Sequence, residues 1–357
     1  MNSLILALAL SFSGYSFAQE KSSYFDYFIA PSSEHVDWSS PSSTLRSFVT
    51  SLMKTGPLNL NKGRYRTGMG HAMVHYHCQL PSGEMVESWS AMSGESDQKF
   101  SYELVAKEKI GLNVLRYQFE DGYIQSEEEV KGRLATFKGR REEGLDGRKV
   151  RMQPLFLRYL ISETECLAIN DFYKAFNGKT KMQHPTREHV LSLPKEERLI
   201  YGLDLDPVEL YKKNGPNGIL GAGCTSYATS FLKIGKFYDE SLDAFLKRDL
   251  VASSEFFGTK EKPVKLKKIL LGGKSWAKQN TTEVERISFY DPEKIWTFMS
   301  DLKSCTKKSG EDNYCPLEVE LWATSNNLEL SPVKLAVAGS FNGKKSRNEI
   351  EGVLIKR

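Results

Sequence analysis

The sequence predicts an α+β fold, with a central antiparallel sheet packed on helices and a C-terminal α+β extension. Three observations carry this expectation. Between residues 70 and 130 the chain runs in extended, alternating stretches broken by turn residues. Between residues 154 and 250 the apolar spacing lengthens to that of helices. Toward the C-terminus, strand-like runs return around one helical segment.

The chain opens "MNSLILALALSFSGYSFAQE". Its apolar run from Leu4 to Leu10 weakens toward Phe17 and ends in Ser16-Phe17-Ala18, a small-x-small pattern. The run is too short to span a bilayer and reads as a secretory signal peptide over residues 1–18, although no Lys or Arg precedes it. Residues 19–60 read as an N-terminal helical lead-in. A polar stretch, "QEKSSYFDYFIAPSSEHVDWSS", comes first. "SPSSTLRSFVTSLMK" then places Leu45, Phe48, Val49, Leu52 and Met53 at helical spacing behind serine caps.

In "GHAMVHYHCQLPSGEMVESWSAMSGE" two extended runs flank Pro81-Ser82-Gly83, a hairpin pattern. A turn centred on Ser82-Gly83 sets His77 opposite Ser88 and His75 opposite Ser90, with Glu87 on the other face. "IGLNVLRYQFEDGYIQSEEEVKG" repeats the pattern around Asp121-Gly122, and Glu127-Glu128-Glu129 then form a solvated strand edge or turn. "PLFLRYLISETECLAINDFYKAFNGK" is helical in pattern and stops at Gly178. "LSLPKEERLIYGLDLDPVELYKKNG" suggests two short helices, and "DESLDAFLKRDLVA" one more. "GTKEKPVKLKK", charged and Pro-containing, is either a solvated loop or a boundary between domains at 61–257 and 258–357. Beyond it, "KILLGG" and "VKLAVAGSFNG…IEGVLIKR" read as strands around a helix at "DPEKIWTFMSDL".

Composition narrows the function. The chain has 357 residues, 40% of them hydrophobic, and a formal charge of +4. That is enough apolar material for a core and too little charge to argue for nucleic acid. The basic stretch from Gly139 to Lys149 is a surface loop or a contact for an anionic glycan. There is no zinc-finger spacing, phosphate-cradling glycine motif, internal repeat or later apolar stretch of membrane-helix length. No cofactor or transmembrane segment is expected.

An exported chain lives where disulfides persist. Cys305 and Cys315 enclose "TKKSGEDNY", a loop suited to closing on itself. Cys78 and Cys166 form a second candidate pair, and both pairings leave Cys224 over.

"GAGCTSYATSFLK" puts Cys224 behind a glycine turn and before a helical stripe of Tyr227, Ala228, Phe231 and Leu232. A thiol at a helix N-terminus gains thiolate character from the unpaired backbone N–H groups there. The same groups can hold an oxyanion. Such a nucleophile needs a base. His71 opens a strand on which His71, Met73, His75 and His77 share one face, with Ser88 and Ser90 available to orient an imidazole. The alternatives are a buried or disulfide-bonded Cys224 and a polar strand-start His71. A metal site on His75 and His77, about 7 Å apart on one strand face, would need further ligands.

Gly-His before an alternating apolar strand, followed much later by Cys-Thr-x-aromatic-Ala at a helix start, resembles the circularly permuted papain-like hydrolases. These are relatives of the NlpC-type cell-wall peptidases and the lecithin–retinol acyltransferase group. The resemblance covers roughly residues 65 to 240. It implies a permuted papain-like domain with Cys224 as nucleophile, His71 as base and a polar third residue on the next strand, for which Ser90 is the candidate. It further implies a periplasmic or secreted cysteine peptidase or amidase acting on peptidoglycan peptides or another envelope polymer. A non-catalytic envelope binding or scaffold protein and a lipid acyl hydrolase or acyltransferase are the alternatives.

Overall fold

In a computed structural model of the chain, the residues described are 23–32, 35–55, 70–94, 109, 111–112, 122–143, 149–177, 223–258, 262–276, 283–306 and 315–357. The signal segment, Asp121 of the Asp-Gly turn, the two short helices expected between residues 191 and 215, and the glycine turn up to residue 222 lie outside them.

The elements run β1 (Tyr24–Ala30), α1 (Pro41–Thr55), β2 (His71–Gln79), β3 (Met85–Ser90), β4 (Met92–Gly94) and β5 (Gly122–Ile124). Then come α2 (Glu127–Thr136), β6 (Arg141–Glu143), β7 (Lys149–Arg151), β8 (Leu155–Leu160), α3 (Glu163–Asn177) and α4 (Cys224–Ile234). The remainder is α5 (Asp243–Leu246), β9 (Lys247–Ser253), α6 (Leu266–Gly272), β10 (Val284–Tyr290), α7 (Pro292–Cys305), α8 (Leu317–Ser325), β11 (Glu329–Phe341) and β12 (Lys344–Lys356).

The fold is mixed α+β. Its main sheet has six strands in the order β11-β12-β8-β1-β2-β3. All pairs are antiparallel except β12 with β8, which is parallel, so the expected antiparallel sheet is mixed at that point. β11 and β12 belong to the same sheet as β1 and β2, so the C-terminal region completes the central layer, and a cut at 258 passes through it.

Several local expectations are corrected. Tyr24–Ala30, read as polar lead-in, is a buried strand between β8 and β2. Its run YFDYFIA is buried on both faces, so it shows no apolar–polar alternation to read. Glu127, Glu128 and Glu129 are the first turn of α2. Ser126 caps the Glu129 N–H, and the Glu129 carboxylate accepts from the Ser126 N–H. The apolar run at 155–160 is strand β8, and the helix begins only at Glu163. "KILLGG" is helix α6, not a strand, and "DESLDAFLKRDLVA" is one short turn of helix leading into β9. The α1 and α7 readings hold: Ser40 accepts from the Ser43 N–H at the start of α1, and Asp291 caps α7 with Pro292 at its first position.

Helices cover both faces of the main sheet. Phe25, Tyr27, Ile29, Ala72, Val74 and Tyr76 face α3, α4 and α7. Phe28, Ala30, Met73 and Trp89 face α2 through Val130 and Leu134. A third cluster, with Leu250, Ala252, Ile287 and Phe289, ties the β9–β10 ribbon to α1 and α6 through Leu45 and Ile269. Both expected disulfides form, Cys78–Cys166 from β2 to α3 and Cys305–Cys315 across a short loop.

Candidate functional site

Cys224 is the one cysteine outside a disulfide. It is half-buried at the first position of α4, where Gly223 provides an extended N-cap without a side-chain bond. The helix turns at once, with the Tyr227 N–H donating to the Gly223 carbonyl at 2.9 Å. The N–H groups of the first three helical residues have no acceptor within the helix itself. The Thr225 hydroxyl donates to the Tyr290 carbonyl at 3.0 Å and pins this end against β10.

The following turns are buried nearly all round because α4 lies across β2, β1 and β4. Polar residues on that face are paired. Tyr27 and Thr229 hydroxyls meet at 3.1 Å, and those of Ser90 and Tyr227 at 2.7 Å. Burial pushes the Tyr27 phenol up despite its Thr229 partner, and a negative charge on Cys224 adds to the shift. Tyr27 therefore stays protonated across the physiological range.

His71 is on the other face. It pairs with Ala30 in the β1–β2 register and shares strand parity with Met73, in the cluster beneath α2. Its Nε2 lies 3.4 Å from Gln125 Oε1. Burial above all, helped by the positive charge of Arg133 and opposed by the Gln125 bond, lowers its pKa to about 3. The ring is neutral at neutral pH and a weak proton acceptor. α4 packs on Ala72, Val74 and Tyr76, the opposite side chains of the same strand. The structure thus brings the Cys224 helix and the His71 strand together but directs the two side chains to opposite faces of the sheet.

Ser90 is also displaced from its expected role. The hairpin closes on three loop residues: the Leu80 N–H donates to Glu84, and Gly83 takes a φ of +84°. This longer loop shifts the register by one residue. Val74 faces Ser90, His75 faces Trp89, Tyr76 faces Ser88 and His77 faces Glu87. Ser90 therefore leaves the histidine face for that of α4, and Glu87 takes its place.

That exchange builds a cluster the sequence reading missed. His75 is buried, with Nδ1 3.0 Å from Asp26 Oδ2 and Nε2 3.1 Å from Glu87 Oε1. Arg158 donates to both Asp26 oxygens, at 2.7 and 2.8 Å. The His75 ring stacks on Trp89 at 3.9 Å. Glu87 is only partly buried. Burial raises its pKa, but hydrogen bonds from His75 and Trp89 and the nearby positive charges outweigh this and lower it overall. A lone Asp in YFDYFIA and a lone Arg in LFLRYL were the available signal, two opposite charges in apolar strands that can be buried only as a pair. Among the described residues, no group of three or more His, Cys, Asp or Glu is placed to hold a metal ion. No described helix is long and apolar enough to cross a membrane.

Comparison with protein-family models, with curated proteins and with solved structures finds no match.

Proposed function

We infer that the chain is an exported cysteine hydrolase of permuted papain-like type, with Cys224 as nucleophile. The thiolate attacks a carbonyl carbon, and first-turn N–H groups of α4 hold the oxyanion. The tetrahedral intermediate collapses as its C–N bond breaks and the amine takes a proton from solvent water, and a second water then hydrolyses the thioester, releasing the carboxylic acid and returning the thiol. An amide in a peptidoglycan peptide is the substrate class the resemblance implies. The observation that carries this reading is the position of Cys224, a half-buried thiol left out of both disulfides at the first turn of a helix laid across the sheet.

The reading rests on Cys224 and not on a Cys224–His71 dyad, because His71 belongs to the opposite face. Digestion of purified cell-wall sacculi by wild type, Cys224→Ala and His71→Gln, with products identified by mass, tests both parts. Wild type releases peptides, Cys224→Ala releases none, and His71→Gln keeps activity within about tenfold, short of the usual general-base contribution. Equal losses in both variants would restore the dyad.

The placement of His71 favours a second reading, a non-catalytic envelope-binding protein of the same fold. Identical product profiles from wild type and Cys224→Ala would select it.

A further inference from the structure

We propose that Asn342 is a modification site, where the side-chain amide closes on the Gly343 main chain and water converts it to aspartate or isoaspartate. Asn342-Gly343 is the one Asn-Gly pair lying wholly within the described residues. It is the exposed two-residue turn between β11 and β12, closed by the Phe341–Lys344 pair. Both residues take positive φ, +49° and +76°, the type I′ combination. The reaction joins the Gly343 nitrogen to Asn342 Cγ and breaks the Cγ–Nδ2 bond. The Gly343 N–H proton leaves with the amide nitrogen as ammonia, and a five-membered succinimide remains. Water then opens one of its two carbonyls, giving aspartate or, at the main-chain carbonyl, isoaspartate.

The turn geometry carries the proposal. In a type I′ turn the Gly343 nitrogen points away from Cγ. Flipping the one peptide plane between the two residues gives type II′, with Asn342 ψ near about −120° and Gly343 φ near about −80°. That ψ brings the nitrogen against Cγ. Gly343 takes either sign of φ without strain, and nothing lies within 4 Å of where its Cβ would stand. No described residue accepts the Gly343 N–H or bonds the Asn342 amide, and the flip leaves the β11–β12 ladder intact. Other asparagines are tied. Asn326 Nδ2 donates to the Trp322 carbonyl, and the N–H after it, of Asn327, donates to Thr324. Asn327 also has positive φ, but the Leu328 N–H donates to Ala323 at 2.9 Å. Asn348 Nδ2 donates to the Leu134 carbonyl at 3.2 Å. Conversion of Asn342 sets a carboxylate beside Lys344, Lys345 and Arg347, and isoaspartate lengthens by one atom the turn that fixes the hairpin register.

The test incubates the purified full chain at physiological temperature and mildly alkaline pH, folded and in urea, and follows amide-to-acid conversion by peptide mapping with mass detection. Folded Asn342 is expected to convert at no less than about a tenth of its rate in urea, because the flip breaks no hydrogen bond. Asn326, Asn327 and Asn348 fall at least about tenfold further below their own urea rates, each having a hydrogen bond to break. An isoaspartyl methyltransferase labels the peptide carrying residue 342 in wild type. It does not label that peptide in Asn342→Gln, whose longer side chain would have to close a six-membered ring, and thermal melting confirms that this variant is folded. Suppression of Asn342 as strong as that of the other three, or no isoaspartate at the turn, would overturn the proposal.

Discussion

Asp26 and His75 face each other on adjacent strands of the main sheet, Oδ2 to Nδ1 at 3.0 Å. Asp26 has no exposed surface, and Arg158 takes both of its oxygens. A fully buried carboxylate is tolerated only when its lone pairs are filled. Asp26→Ala strands the Arg158 guanidinium and the His75 ring at once. The expected loss is about 3–5 kcal/mol, the range for breaking a buried ion pair from one side. Urea denaturation measures it, and a loss below about 1 kcal/mol would show that water replaces the carboxylate.

His71 gives the chain a stability gradient in acid. Its pKa is about 3 in the folded state against 6.5 for the free side chain, because burial disfavours the imidazolium. Between those values the unfolded chain binds a proton that the folded chain does not. Stability therefore rises with pH through this window and is lost as pH falls. His71→Gln removes the term. The difference in unfolding free energy between wild type and variant should tilt by up to about 1.4 kcal/mol per pH unit below pH 6.5 and level off above it. A difference independent of pH would mean that the ring is protonated in the fold.

Much of this architecture is legible in the sequence, and the failures have physical causes. α1, α7, the β2–β3 hairpin and the β11–β12 strands announce themselves through period, caps and turns. β1 does not, because a strand buried on both faces carries no alternation. The hairpin shows how little separates success from failure. Its strands are placed correctly, but one more loop residue, allowed by Gly83 at positive φ, exchanges Ser90 for Glu87 on the histidine face. Cys224 is found at the helix start its glycine turn foretells, whereas the face taken by His71 depends on its pairing with Ala30, a residue of β1, whose sequence carries no alternation.

Ser90 and Tyr227 provide a test of that register. Their hydroxyls meet at 2.7 Å in a buried site between β3 and α4. Removing either partner alone costs about 1–3 kcal/mol of unmet hydrogen bonding, whereas removing both is nearly free of that penalty. Ser90→Ala/Tyr227→Phe is therefore expected to be more stable than the sum of the single losses by about 1 kcal/mol. Strict additivity would place the two side chains apart.

The Cys78–Cys166 bridge joins β2 to α3 across a sequence separation of 88. On the chain-entropy account, a loop of that length constrains the unfolded state by about 4–5 kcal/mol. Cys78→Ala/Cys166→Ala should lose most of this in urea denaturation, with the rate at which a thiol reagent labels Cys224 in the folded protein unchanged. Stability within about 1 kcal/mol of wild type would mean that the unfolded chain is already held compact.

α2 and β11 approach each other closely through two glycines. A Cβ on Gly132 would stand 2.1 Å from the Ser340 carbonyl oxygen and 2.8 Å from its carbon. On the other side, a Cβ on Gly339 would stand 2.6 Å from the Gly132 nitrogen. Both obstacles are main chain, so no rotamer change relieves them. Helix propensity favours Gly132→Ala by about 1 kcal/mol, but the clash forces α2 off the sheet, and overpacking of this kind costs about 1–3 kcal/mol or more. Because backbone cannot yield as a side chain does, the clash wins, and Gly132→Ala is expected to lose about 2 kcal/mol net. Gly272→Ala, at the exposed end of α6 with nothing within 4 Å of the new methyl, keeps only the propensity effect and should be neutral or slightly stabilising. Paired urea titrations check the contrast; equal effects at the two sites would mean that α2 does not ride on β11 at this distance.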